Sequence, residues 1–96
     1  MVIIAGKMYV APEDRDKFVE SHRDVIQAAR KADGCIDVAV SADLIEPNRV
    51  NMFELWESDE QLKAWQAVAT GPTLRVPILD GDVRKHQVSS SGPPFD

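Results

Sequence analysis

Hydrophobic residues recur with two different periods along the chain, and the two periods separate strands from helices. Val2 to Val10 is apolar almost throughout, which is typical of a strand buried on both faces. Cys35 to Ala42 and Val50 to Glu57 alternate with a period of two and predict the second and third strands. Val83 to Ser89, which follows a turn, predicts a fourth.

Two other stretches carry apolar residues at helical spacing. The first runs from Pro12 to about Ala32, and its inner stripe comprises Phe18, His22, Val25 and Ala29. The second runs from about Asp59 to Ala69, where Ser58 is placed to cap the first turn. The order βαββαβ predicts an α+β, ferredoxin-like subunit, in which a four-stranded antiparallel sheet carries two helices on one face.

The predicted sheet has a second face that the helices leave uncovered. That face carries one of two apolar sets along the third strand, either Val50, Met52 and Trp56 or Phe53 and Leu55. Both sets are too apolar to remain in water. We therefore expect a homodimer in which the two sheets pack face to face.

The composition describes one small acidic domain over residues 1–96, with an irregular tail from about residue 90. The hydrophobic content is 44%, and the formal charge of −5 disfavours nucleic acid or an anionic membrane as a partner. No apolar run approaches the roughly 20 residues of a membrane helix. With one cysteine and no secretory signal pattern, we expect a cytoplasmic protein.

Four side chains on the strand-helix layer are candidates for a ligand pocket. His22 is the strongly polar member of an otherwise apolar stripe, and histidine titrates near neutral pH, so it could act as a catalytic base. A structural histidine is the simpler alternative. Trp56 and Trp65 could form the pocket wall or only the core. Phe18, on the stripe of His22, is a further candidate for substrate contact.

Polar residues on the strands add candidates for substrate binding. Tyr9 could donate a hydrogen bond to a ligand, although a buried tyrosine needs a partner in any case. Arg84 and His86 share one face of the last strand, where a solvated or dimer-edge position is the simpler interpretation. Lys7 and Glu54 both interrupt apolar stretches on neighbouring strands, and we expect them to form a structural ion pair across the sheet.

The sequence contains no pattern for a metal or nucleotide cofactor. There is no Cys/His cluster, P-loop, GxGxxG or EF-hand spacing. Cys35 is interpreted as a small packed residue. We therefore expect no cofactor.

Several segments resemble the antibiotic biosynthesis monooxygenase domain of the dimeric α+β barrel superfamily. They are PEDRDKF in the first helix, AARKADGCIDVAVSAD around the second strand, and RVNMFELWESDEQLKAW. The resemblance implies a ferredoxin-like subunit that dimerises into a β-barrel, with a pocket between sheet and helices. It also implies oxygenation of an electron-rich aromatic polyketide or quinol by molecular oxygen, without metal or flavin.

The resemblance transfers only in part when residues are compared one at a time. Trp56 matches the strand-end tryptophan of the polyketide-oxidising members. Those enzymes have an asparagine four residues earlier and a tyrosine six residues later, where this chain has Met52 and Leu62. Asn51 is one position away and points to the opposite face, yet it remains a candidate for substrate binding.

A second comparison concerns the haem-degrading relatives of the same superfamily. They use an asparagine on the first strand, a tryptophan on the second helix and a histidine ten residues further on. This chain keeps Trp65 but has Lys7 and Arg75 near the other two positions. The resemblance therefore disfavours haem degradation.

Together these observations predict a cofactor-independent monooxygenase acting with O2 on a small aromatic, quinol-like or polyketide-like molecule. The alternative is a non-catalytic dimer of the same fold that binds a small ligand.

Overall fold

A computed structural model describes residues 1–95, which form four strands and three helices. The strands are β1 (Val2–Tyr9), β2 (Cys35–Ala42), β3 (Arg49–Trp56) and β4 (Asp80–Gln87), and the helices are α1 (Pro12–Glu20), α2 (Arg23–Arg30) and α3 (Asp59–Gln66). All strand pairs are antiparallel, and the strand order is β2-β3-β1-β4. The predicted ferredoxin-like fold is confirmed. No helix within residues 1–95 has the length and apolar run needed to cross a membrane.

The predicted first helix is interrupted at Ser21 and His22, so the expectation of one continuous helix was wrong. The Ser21 hydroxyl and His22 Nδ1 both donate to the Phe18 carbonyl oxygen, at 2.6 Å and 2.8 Å. The Ser21 carbonyl in turn accepts from the backbone N–H of Thr73 at 3.1 Å. Side-chain donors and a distant segment thus take backbone acceptors that a continuous helix would use.

The second helical segment begins as predicted and ends earlier. Ser58 Oγ accepts from the backbone N–H of Gln61 at 3.2 Å, which is the expected N-cap. The helix ends at Gln66 instead of Ala69, and Gly71 adopts a left-handed φ of +78° in the connection that follows. Before β4 begins, Val76 of this connection packs against the buried cluster of Val10, Phe18 and Val50.

The helices cover the sheet face that carries Val50, Met52 and Trp56. Val50 and Trp56 are buried there in two core clusters, one comprising Val2, Ala29, Val38, Trp56 and Leu62, the other Val10, Phe18 and Val50. Phe53 and Leu55 lie on the open face, opposite Ala5 and Ile3 of β1. The strand register therefore decides between the two apolar sets of β3.

A bulge in β2 changes the face on which Ile36 lies. Cys35 pairs with Trp56 and Asp37 with the next residue, Leu55, so two residues of β2 span one step of β3. Cys35 and Val38 consequently both face the helices. Ile36, which strict alternation would place on the face of Val38, is 48% exposed.

Lys7 and Glu54 do not form the expected ion pair, because they lie on opposite faces of the sheet. Lys7 pairs in register with Asn51 and Glu54 with Ile4, three positions apart along β3. Lys7 Nζ lies 5.8 Å from the centre of the Tyr9 ring on the open face. Glu54 faces the helices, where it becomes part of the candidate site.

Candidate functional site

A cavity of about 180 Å³ lies between the sheet and the helices. Its apolar lining comes from α2, β2 and β3 and comprises Val25, Ile26, Ala29, Val38, Val40 and Met52. Trp65 of α3 and the Gly71-Pro72 segment complete the walls. Two polar side chains, His22 and Glu54, also face it. An apolar cavity with a few polar groups is the usual form of a small-molecule site.

His22 is fixed at the break between α1 and α2. Its Nδ1 lies 2.8 Å from the Phe18 carbonyl oxygen, which can only accept, so Nδ1 carries the hydrogen. The Phe18 ring packs edge-on against the imidazole at 4.7 Å. Phe18 itself is buried and positions His22 without lining the cavity.

The other ring nitrogen of His22 opens onto the cavity. His22 is only 6% exposed, and within residues 1–95 no buried side-chain nitrogen or oxygen lacks a hydrogen-bond partner. Nε2 has no protein partner among those residues, so it keeps access to the open space that His22 lines. In the neutral ring Nε2 is an acceptor and can take a proton from a bound hydroxyl group.

Glu54 is the polar group that sequence reasoning did not assign to the site. Its Oε1 accepts from Trp56 Nε1–H at 3.0 Å, and its Oε2 has no partner among the described residues. Its position in the sequence could have assigned it to the site. Glu54 shares one strand face with Met52 and Trp56, so it must face the helices if Trp56 does. The expected pairing with Lys7 concealed this.

The two tryptophans have different roles. Trp65 lines the cavity, whereas Trp56 is fully buried behind it. The two indoles stack with ring centres 6.4 Å apart and planes inclined by 25°. Trp56 therefore supports Trp65 from behind and holds the Glu54 carboxylate through its N–H.

Tyr9, Asn51, Arg84 and His86 lie on the open face of the sheet and are not brought to this cavity. All of them except Tyr9 border a separate, broader depression of about 590 Å³ on that face. Arg84 Nε donates to Asp82 Oδ1 at 2.8 Å. His86 pairs in register with Ile3.

Tyr9 and Asn51 belong to a polar network at the β2–β3 loop. The Tyr9 hydroxyl donates to Glu46 Oε2 at 3.1 Å. The Asn51 amide donates to Asp43 Oδ1 at 2.9 Å and accepts from Arg49 Nε at 2.7 Å. The backbone N–H of Glu46, together with the Asn51 amide, lowers the pKa of Asp43 to about 2. Their polar groups thus stabilise the loop.

The cysteine near the cavity is a free, partly buried thiol. Burial raises the pKa of Cys35, and the negative charges of Glu54 and Asp37 add to the rise. The group stays protonated at neutral pH and packs against the core, as the sequence predicted. Within residues 1–95, no three His, Cys, Asp or Glu side chains come together as a metal site would require.

A family model described as antibiotic biosynthesis monooxygenase matches residues 1–69. The chain belongs to the antibiotic biosynthesis monooxygenase family. The matched region runs from β1 through α3 and contains His22, Glu54 and Trp65. The part of the cavity wall formed by Gly71 and Pro72, and the edge strand β4, follow it.

Solved structures share the fold of this family member over its whole length. A proposed antibiotic biosynthesis monooxygenase of Deinococcus radiodurans aligns with a TM-score of 0.82 over 100% of both chains, at 20% identity. The haem degrader MhuD of Mycobacterium tuberculosis, solved with two haems in its active site, aligns with a TM-score of 0.68 at 16% identity. That alignment covers 97% of this chain and 100% of the MhuD chain. At these identities the likeness is one of fold.

An uncharacterised protein of Synechocystis sp. is also similar in sequence to this chain. The two are 28% identical over 57 residues, which is 59% of this chain. The chain spans about two fifths of the length of that relative, since the match covers 39% of it.

Proposed function

We propose that the protein is a cofactor-independent monooxygenase that oxidises a small aromatic, quinol-like substrate with O2 in the helix-side cavity. The observation that carries the proposal is the buried imidazole of His22, whose Nε2 opens into an apolar space beside the Trp65 indole. Membership of the antibiotic biosynthesis monooxygenase family supports the reaction class.

The geometry supplies what such a reaction needs from the protein. His22 Nε2 takes the proton of a bound phenolic hydroxyl group, and a positioned general base contributes roughly 10²- to 10⁴-fold in rate. The phenolate is electron-rich enough to transfer an electron to O2. The apolar walls keep water away from the reactive intermediate, and Trp65 offers a flat surface for the ring.

The overall reaction balances without any further reductant. A hydroquinone and O2 give a hydroxyquinone and water: a ring C–H bond is replaced by a C–O bond, and both phenolic O–H bonds are broken. The substrate loses four electrons and O2 gains four. One oxygen atom of O2 enters the product and the other leaves as water.

Incubation of the protein with a panel of hydroquinones and anthrones under ¹⁸O2 tests this proposal. We expect oxygen consumption roughly 10²-fold or more above the uncatalysed rate, as a working general base predicts, with one ¹⁸O atom in each product molecule. Samples are quenched quickly, because quinone oxygens exchange with water, and hydrogen peroxide is assayed in parallel.

Unlabelled quinone formed together with hydrogen peroxide would contradict the proposal, because it indicates simple oxidation. Oxygen consumption no faster than the uncatalysed rate across the panel would also contradict it. That second result would favour the alternative, a ligand-binding dimer of the same fold.

We also infer that a second copy of this chain covers the open sheet face. Apolar side chains are contiguous there, since Ile3 lies opposite Leu55 while Ala5 and Ala39 flank Phe53. All five are already half-buried in the single chain. The dimeric α+β barrel that the family resemblance implies is built by packing two such faces together.

Sedimentation velocity measures this association directly. We expect the protein to sediment with twice the mass of one chain, and Phe53→Glu to sediment as a monomer, because it places a charge in the apolar centre of the face. Val68→Glu is the matched control, since Val68 is 70% exposed just after α3 on the helix side. A compact single subunit in the parent protein, or a Phe53→Glu dimer, would contradict the inference.

A further inference from the structure

The helix-side cavity is sized for a single aromatic ring. Its volume is about 180 Å³, close to the ~150 Å³ of an engineered protein cavity that binds benzene. Pockets for drug-sized ligands begin at roughly 300 Å³. Ala29 and Val38 in the walls belong to the buried core, which is close-packed and resists expansion. A single ring therefore fills the space between these walls, and a three-ring anthrone would project beyond it.

Both polar groups that face the cavity are hydrogen-bond acceptors. The Nδ1 hydrogen of His22 is used by the Phe18 carbonyl, so the neutral ring presents the lone pair of Nε2. The Glu54 carboxylate uses Oε1 for Trp56 Nε1–H and leaves Oε2. A ligand that displaces water from the cavity must supply the hydrogens, because it would otherwise leave these acceptors buried without a partner. Two hydroxyl groups on one ring provide one donor for each acceptor.

No lysine or arginine lines the cavity among the residues that the structure describes. The nearby basic side chains of the sheet, Lys7, Arg49 and Arg84, border the depression on the open face instead. A ligand carboxylate in the cavity would lie near Glu54 without a cation to balance it. Two like charges in an apolar space disfavour each other strongly.

We propose that the cavity selects single-ring arenes that carry two hydroxyl groups and no negative charge, and that Glu54 is the residue that excludes acidic arenes. This inference rests on the proposed function only for the choice of site, since it concerns which molecules bind. It assigns to Glu54 a part in specificity, whereas His22 handles the proton.

Isothermal titration calorimetry without oxygen tests the inference with four probes. These are hydroquinone, phenol with one hydroxyl group fewer, gentisate, which is hydroquinone with a ring carboxylate, and dithranol, a three-ring anthrone. We expect hydroquinone to bind roughly tenfold tighter than phenol, the value of one buried hydrogen bond. Gentisate should bind roughly 100-fold more weakly than hydroquinone, because like-charge contacts oppose it. Dithranol should bind more weakly than hydroquinone, because two of its rings would project beyond the walls.

Glu54→Gln tests the specificity role of the carboxylate. Glutamine keeps an oxygen for Trp56 and the same volume but removes the charge. The ratio of the dissociation constants of gentisate and hydroquinone, which we call the affinity gap, should therefore fall roughly tenfold or more. Glu57→Gln is the matched control, because Glu57 is exposed just beyond β3 and should leave the affinity gap unchanged. The comparison of the four probes uses only the parent protein, so it tests the selectivity of the cavity even if a variant fails to fold.

Equal affinity for hydroquinone and gentisate, dithranol binding as tight as hydroquinone, or binding of none of the probes would overturn the inference. An unchanged affinity gap in Glu54→Gln would show that Glu54 does not exclude acidic arenes. The readout is independent of turnover. Selective binding without labelled product would end the monooxygenase proposal alone, and labelled product with unselective binding would end this inference alone.

Discussion

Replacing Gly6 with alanine is expected to lower the free energy of unfolding by about 3 kcal/mol or more. Gly6 lies in the middle of β1 with a φ of +154°, a backbone conformation that side chains rarely adopt. A methyl group there would overlap the Asp82 carbonyl oxygen and approach Val83 Cα to 2.7 Å. The backbone of β4 would have to move. Because β4 pairs only with β1 in the described sheet, the position of the whole edge strand depends on this close approach of its backbone to Gly6.

Gly81→Ala is the matched control in the neighbouring strand. A methyl group at Gly81 would meet nothing nearer than the Lys7 carbonyl oxygen, at 3.4 Å, and the backbone there has no positive φ. The free energy of unfolding of Gly81→Ala should differ from that of the parent protein by no more than about 1 kcal/mol. Urea unfolding followed by circular dichroism measures both variants. Equal stability of the two would contradict the described packing of β4 on β1.

The element order could be predicted from the sequence because each strand and helix carries its own period. Which face of the sheet meets the helices could not be predicted in this way. Both faces of β3 are apolar, so the alternation in Val50 to Trp56 leaves open which set meets the helices. That choice depends on the pairing of Leu55 with Ile3, a contact between residues far apart in sequence.

Two local errors have the same physical origin. The helical stripe continues through the break at His22, because His22 keeps its place on the inner face. What breaks the helix involves Thr73, 52 residues from Ser21. The bulge at Ile36 likewise adds one residue to a strand without disturbing its composition. Periodicity reports faces and is insensitive to such tertiary contacts.

The candidate site was predictable where its residues continue an apolar stripe with helical spacing. His22 and Trp65 stand out on apolar stripes, and both line the cavity. Tyr9, Arg84 and His86 lie on strands, and their shared position on the open face follows only from the register of β1 with its two neighbours. Glu54 was missed for the same reason, since the sequence suggested an ion pair with Lys7, and only the register of β1 with β3 shows that the two lie on opposite faces.

Replacing His22 with glutamine is expected to lower the rate of oxygen consumption roughly 10²- to 10⁴-fold, the usual contribution of a general base. Glutamine is polar and close to histidine in size, and its amide N–H group is available to donate to the Phe18 carbonyl oxygen at the break between α1 and α2. It cannot accept the phenolic proton. Circular dichroism of the variant should match the parent protein, which separates a chemical loss from a folding defect.

The chain has two histidines, and they lie on opposite faces of the sheet. The initial rate of oxygen consumption with hydroquinone, measured for His22→Gln and His86→Gln, therefore tests directly which face is the active site. We predict a loss of roughly 10²-fold or more for His22→Gln and a rate close to that of the parent protein for His86→Gln. A large loss for His86→Gln with full activity in His22→Gln would place the chemistry on the open face and contradict the account.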